Sequence, residues 1–128
     1  MNPRLVVVAE DDADIREMLT VTLEAAGFRA VGAKDGRTAA RILAVAQPVG
    51  LITDVLMPTL NGIELCRLAR LNPAVRDTAI LMVSGNSHRY DIEAGMAAGA
   101  DRYLPKPLQP RALVAELQHI ISSRHPIG

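Results

Sequence analysis

Four short runs of Val, Ile and Leu punctuate the chain, at residues 5–9, 49–53, 79–84 and, more briefly, 102–104. Each is apolar at nearly every position rather than at alternate ones. That pattern suits parallel strands covered on both faces, because a strand with one wet face alternates. Residues 28–33, Phe28-Arg29-Ala30-Val31-Gly32-Ala33, are more mixed and suit an edge strand.

Between these runs the apolar period becomes helical. Ile15, Met18, Leu19, Thr22, Leu23 and Ala26 form an i, i+3, i+4 stripe that stops at Gly27, placed to be a C′ glycine. Asp35 can cap a helix whose apolar face carries Ala39, Ile42, Leu43 and Ala46 and which halts before Pro48. Asn61 with Glu64 three residues later resembles a capping box for a helix running through Leu71, with Pro73 beyond it. Residues 87–98 read as a poor helix, since Gly95 costs about 1 kcal/mol against Ala in mid-helix. A final helix has Pro110 in its first turn and buries Leu113, Leu117, Ile120 and Ile121.

The order is strand-helix repeated five times. Right-handed crossovers put helices on both faces of a parallel sheet. The commonest compact solution is α/β: a doubly wound, five-stranded parallel sheet of strand order 2-1-3-4-5. Ligands of such sheets bind beyond the carboxyl ends of the strands, at the switch point between the first and third. Glu10-Asp11 and Asp54 fall at that place by sequence alone.

A length of 128 residues makes one domain, 1–128, with a core at about residues 4–123 and a short tail. Residues 5–9 are too short for a membrane span or a signal-peptide core, and the acids Glu10, Asp11, Asp12 and Asp14 follow at once. No membrane association and a cytoplasmic location are expected. The single Cys66 makes no internal disulfide and reads as a small core residue. Net charge is zero, from 14 basic and 14 acidic residues. With no basic stripe and only Phe28, Tyr90 and Tyr103 as aromatics, no direct nucleic-acid binding is expected.

Three acids and a lysine, each at the end of a different apolar run, suggest a site for a cation and a phosphoryl group. Glu10, Asp11 and Asp54 in one crevice require a counter-charge. Their hard oxygens favour Mg2+ over zinc, and His88, His119 and His125 show no metal-ligand spacing. A carboxylate beside such an ion can attack phosphorus and form an aspartyl phosphate. Lys106 would neutralise the new charge, and Ser84 could donate a hydroxyl hydrogen bond. Plainer readings stand beside these. Asp12 and Asp14 read as acids favoured at a helix N-terminus, and Glu10 with Asp11 could be the same. Asp54 alone could start a turn, Lys106 could be an ordinary solvated lysine, and Tyr103 could be core packing.

Four segments carry a resemblance to the receiver domain of two-component response regulators, covering nearly all of residues 4–123. They are Val7-Val8-Ala9-Glu10-Asp11-Asp12, Asp54-Val55-Leu56-Met57-Pro58-Thr59-Leu60-Asn61-Gly62, Met82-Val83-Ser84-Gly85, and Gly99-Ala100-Asp101-Arg102-Tyr103-Leu104-Pro105-Lys106-Pro107. The resemblance implies the (βα)5 flavodoxin-like receiver fold. It makes Asp54 the phosphoacceptor, Asp11 a direct magnesium ligand, Glu10 a ligand acting mainly through water, and the Leu56 carbonyl a further ligand. Ser84 takes the switch-hydroxyl position, Lys106 the phosphate-binding position, and Tyr103 that of an aromatic switch. Lys106-Pro107 is expected to be cis. Leu56 and Asn86 are implied to flank the water that ends the phosphorylated state. Two positions depart from commoner patterns. Leu56 is apolar where many relatives are polar. Glu116 stands where relatives that dimerise through the fourth and fifth helices often carry Arg, which puts that dimer in doubt.

The implied function is a phosphorylation-dependent signalling switch rather than an enzyme. A histidine kinase or histidine phosphotransfer protein would donate to Asp54. The face formed by the fourth helix, fifth strand and fifth helix would then change shape to control a downstream effector. A monomer or a phosphorylation-dependent dimer is expected. With few residues after Ser123, the chain reads as a stand-alone receiver or as one excised from a longer protein. A rival reading is a small magnesium-dependent phosphohydrolase with Asp54 as nucleophile. It lacks a general acid at Leu56 and any cap insertion. A phosphate-independent scaffold of this fold would normally lack one of the acids or the lysine.

Overall fold

A computed structural model describes residues 2–85, 89–107 and 109–124, with the side chains of Arg89 and Tyr90 excepted. The elements follow the expected alternation: β1 (Asn2–Ala9), α1 (Ala13–Ala25), β2 (Arg29–Ala33), α2 (Gly36–Ala46), β3 (Pro48–Asp54), α3 (Gly62–Leu71), β4 (Ala79–Ser84), α4 (Arg89–Ala97), β5 (Arg102–Pro105) and α5 (Pro110–Arg124). The strands form one sheet of order β2-β1-β3-β4-β5. Every strand pair is parallel.

The continuous apolar runs divide by the period of two that a pleat imposes. Val7, Ala9, Leu51, Ile80 and Met82 face one core with Ala39 and Leu43 of α2, Leu65 and Cys66 of α3, and Ala98 beyond α4. Val6, Val8, Ile52, Leu81 and Val83 face the other with Leu19 and Leu23 of α1 and Leu113, Leu117 and Ile120 of α5. All of β3 and β4 is buried, while β2 exposes Arg29, Val31 and Gly32, as an edge strand can. Cys66 is core, as its helical position implied. Its thiol donates to the Ala98 carbonyl at 3.4 Å, and burial pushes its pKa up to about 11.

Most helix ends are those legible in the sequence. Asp12 caps α1 by accepting from the Asp14 and Ile15 N–H groups, and Gly27 at φ 96° closes it. Asp35 accepts from Thr38 N–H at the start of α2. Asn61 and Glu64 exchange both bonds of the capping box on α3. β2, β3 and β5 depart from the expected runs by one residue at an end, β3 at both, and two other elements differ by more. β1 begins at Asn2, ahead of the apolar run, because ladder pairing with Pro48 needs only backbone groups and the polar start is exposed. α4 spans Arg89–Ala97, and residues 87 and 88 of the expected helix lie outside the described residues.

Gly95 also has a packing reason. A Cβ there would stand 2.8 Å from the Met82 sulfur and 3.2 Å from the Tyr103 ring. Two other glycines admit backbone where no side chain fits. A Cβ on Gly36 would lie 1.9 Å from the Leu60 carbonyl oxygen, and one on Gly62 2.0 Å from the Asp54 carbonyl oxygen. Both obstacles are main chain and cannot turn aside. Gly62→Ala should therefore lose about 1–3 kcal/mol of stability by forcing the backbone behind Asp54 to shift. Gly85→Ala, with no described atom within 4 Å of the new Cβ, should lose far less. Urea denaturation of the two variants tests this, and a Gly62→Ala midpoint equal to the parent's would refute it.

Candidate functional site

The carboxyl ends of β1, β3 and β5 meet at one rim. Asp54 is the last residue of β3 and is 6% exposed; Glu10 directly follows β1 and is 2% exposed. Lys106 directly follows β5, and its N–H donates to the Ser84 carbonyl at 2.9 Å, which fixes where its side chain starts. From there the ammonium donates to Asp54 Oδ2 at 2.7 Å and to Glu10 Oε1 at 3.2 Å. Asp11 joins from the exposed side, and one carboxylate oxygen from each of Glu10, Asp11 and Asp54 lies within 4.8 Å of the others. The sequence motifs separated by more than forty residues are therefore one cluster.

The electrostatics follow from burial. Loss of solvent raises the Glu10 carboxyl, the neighbouring Asp54 raises it further, and Lys106 offsets only part, leaving it pushed up to about 7. Burial pulls the Lys106 ammonium down, but its bonds and attraction to Asp54 and then Glu10 outweigh that and hold it above its ordinary value. Glu10 Oε2 is buried without a hydrogen-bond partner among the described residues. An orphaned carboxylate oxygen in native protein calls for an ion or water. The surrounding donors are all carboxylate oxygens, the set that a hard divalent cation takes. The residues present therefore fit a magnesium-type ion.

The remaining predicted residues surround this cluster. Ser84 ends β4 at 1% exposure, and Tyr103 is half-buried on β5 against Gly95 of α4. Leu56 is 67% exposed in the loop that follows Asp54. The Lys106-Pro107 bond is cis, as the resemblance implied. Asn86 and His88 lie outside the described residues, as does His125, while His119 is exposed on α5, remote from the acids in the chain's layout. Glu116 forms an exposed ion pair with Arg102, Nε to Oε2 3.4 Å.

Several supporting residues carried no signal in the apolar pattern. Thr53 Oγ1 donates to the Asp54 carbonyl at 2.9 Å, within the core. Thr59 adopts φ 69°, costly for a β-branched residue, and its hydroxyl oxygen accepts from Arg37 N–H at 3.1 Å. With Gly36 N–H donating to the Pro58 carbonyl at 3.3 Å, the start of α2 holds the loop that leaves Asp54. A Thr after a single proline in a loop gives no hint of these contacts, because both partners come from another element.

The family model "Response regulator receiver domain" matches residues 6–118. The chain is 35% identical over 118 residues to the "DNA-binding response regulator MtrA" of Mycolicibacterium paratuberculosis, covering 92% of this chain and 51% of that protein. It therefore spans about half the length of such curated relatives. Among solved structures it matches the receiver domain of a signal transduction histidine kinase from Syntrophus aciditrophicus with a TM-score of 0.87 at 27% identity, covering 97% of this chain and 94% of that one. It matches the chemotaxis response regulator CheY4 of Vibrio cholerae with a TM-score of 0.85 at 33% identity, covering 91% and 97%.

One expectation is overturned. Charge and aromatic content argued against a nucleic-acid partner, yet MtrA is described as DNA-binding. The count of charges reports only the surface of this chain, which matches half of that protein, and says nothing of a surface carried by the other half. No helix among the described residues is long and apolar enough to cross a membrane. The order of the sheet, the acidic rim with its lysine, and the match over residues 6–118 agree, and the chain belongs to the response regulator receiver domain family.

Proposed function

We propose that Asp54 is the phosphoacceptor of this signalling switch, with a phosphohistidine of a kinase or phosphotransfer protein as donor. The observation that carries this is the Asp54 carboxylate itself. It is nearly buried at the switch point of the sheet and tied to Lys106 at 2.7 Å beside two further acids. In the transfer, an Asp54 carboxylate oxygen forms the new bond to phosphorus as the donor's P–N bond breaks, and the imidazole leaves with the electron pair. Lys106 is placed to follow the incoming charge, leaving the carboxylate for the phosphoryl oxygens. Ser84, at the end of the adjacent β4, supplies a hydroxyl from the other side.

Glu10, Asp11, Asp54 and the Leu56 carbonyl are the groups we assign to hold magnesium. When bound, the ion supplies positive charge against the phosphoryl oxygens. The orphaned Glu10 Oε2 and the all-oxygen donor set support this assignment. The switch works by population shift, with the phosphoryl group favouring the arrangement in which Ser84 and Lys106 both reach it. Tyr103 packs where a Gly95 side chain would stand, so its ring is in position to pass a change at β4–β5 to α4.

The domain does its own phosphotransfer and slow self-dephosphorylation and acts in the cytoplasm, in keeping with the lone buried Cys66. Receivers occur in MtrA, in a histidine kinase and in CheY4, so the output is set by what the receiver is joined to or meets. The phosphohydrolase alternative is not favoured, since exposed Leu56 offers no general acid.

Asp54→Asn should fold and take up no phosphoryl group from acetyl phosphate with magnesium, where the parent gains one by intact mass. Phosphopeptide mapping that finds the label on Asp11, Asp12 or a histidine would sink the assignment.

Lys106→Ala should still be phosphorylated but lose most of the shape change. Amide exchange over residues 89–107, with and without beryllofluoride, reads it. Equal changes in variant and parent would refute the role.

Leu56 and, by resemblance, Asn86 tune the lifetime of the phosphorylated state. Leucine offers an attacking water no hydrogen bond and covers one approach with apolar surface. Leu56→Asn should therefore speed loss of phosphate severalfold at unchanged magnesium affinity, followed after donor removal. A decay no faster than the parent's would show that water access here does not set the lifetime.

A further inference from the structure

Glu10 is gripped by its backbone from two sides. Its N–H donates to the Ala33 carbonyl at the end of β2, 3.0 Å away, and its carbonyl accepts from Arg16 Nη1 at 2.8 Å. Arg16 stands in the first turns of α1, where its own N–H donates to the Asp12 carbonyl at 2.9 Å. To reach back to Glu10 its stem lies across β2 at Gly32. A Cβ there would come within 2.9 Å of Arg16 Cδ and 3.1 Å of Cγ. Gly32 does not have a left-handed φ, so its missing side chain makes room for this crossing and does not serve a turn.

We propose that Arg16 is a positioning residue for the metal-holding carboxylates, fixing the Glu10–Asp12 loop through the Glu10 carbonyl, with Gly32 as its seat. The inference rests on the magnesium reading given under Proposed function. Residues 10–12 bridge the end of β1 and the cap of α1, and Glu10 and Asp11 both present oxygens from that short bridge. A loop left free would lose that freedom on binding the ion, and the affinity would fall by the cost of ordering it. The guanidinium is half-buried, and its hydrogen bond is charge-assisted, about twice as strong as a neutral one. That bond goes to the main chain and not to a carboxylate oxygen. An arginine that only covered apolar surface with its stem would need neither the aimed nitrogen nor the glycine beneath it.

The test titrates magnesium alone into the full chain by calorimetry and follows amide exchange of residues 10–14 in the metal-free protein. Arg16→Met keeps the stem and removes the bond; it should weaken magnesium binding about tenfold and speed exchange in the loop. Its urea midpoint should move little. Arg16→Lys, which keeps a donor and the charge, should recover part of the affinity. Gly32→Ala, which lifts the stem without touching a carboxylate, should reproduce the loss. If Arg16→Met does not fold, Arg16→Lys and Gly32→Ala decide the matter. Parental affinity and exchange in these variants, while Asp11→Asn binds magnesium poorly, would overturn the positioning role and leave the magnesium reading standing. A parent that binds no magnesium, or an Asp11→Asn variant with parental affinity, would overturn the magnesium reading and this inference with it.

Discussion

One ammonium group holds the working end of this sheet together. Two carboxylates at the ends of adjacent strands, both nearly excluded from water, repel each other and lose hydration. Lys106 sits 2.7 Å from Asp54 and 3.2 Å from Glu10, and it comes from a strand two places away from β3 and three from β1. An uncompensated carboxylate at such a place would cost several kcal/mol. Among the described residues, β5 therefore delivers the charge that offsets both carboxylates, reaching across β4 to do so. The Lys106 backbone is itself fastened to Ser84. The arrangement is still incomplete, since one Glu10 oxygen has no partner among the described residues.

The opposite end of the sheet is built differently. Asp101, just before β5, pairs with Arg70 of α3 at 3.0 Å and with Arg124 of α5, and accepts from Ile80 N–H at 2.8 Å. Arg70 also donates to the Gly99, Arg76 and Thr78 carbonyls, and Arg124 to those of Asp77 and Thr78. This network clamps α3, the start of β4, the start of β5 and the last turn of α5 to one another. Such satisfied networks rigidify. The last turn of α4 reaches this network, since the Gly99 carbonyl accepts from Arg70 and Ala100 N–H donates to the Gly95 carbonyl, while Gly95 packs on Met82 and Tyr103.

Between these ends, the segment after Asp54 is held by close backbone approach. Gly62 admits the Asp54 carbonyl, Gly36 admits that of Leu60, and Arg37 N–H binds the Thr59 hydroxyl across from α2. The loop carrying Leu56 is thus fixed from two helices while the Leu56 side chain faces solvent.

Much of this was legible in the chain. Continuous apolar runs identified β1, β3, β4 and β5, mixed residues marked β2 as an edge, and Asp12, Asp35, Asn61 and Gly27 fall at helix ends. These are local effects of burial and hydrogen bonding within a few residues. The acids and lysine were legible too, because each follows an apolar run directly and parallel strands gather their carboxyl ends at one rim. What the tertiary structure alone decided are contacts between elements. They include the crossing of Arg16 over Gly32, the closeness of Gly62 to Asp54, the αL geometry of Thr59, and the ring of Tyr103 against Gly95. The neutral charge of this chain, likewise, described its own surface and not the partners of proteins twice as long. Each of those contacts depends on how separate stretches of chain pack against one another, and no period in the sequence encodes that distance.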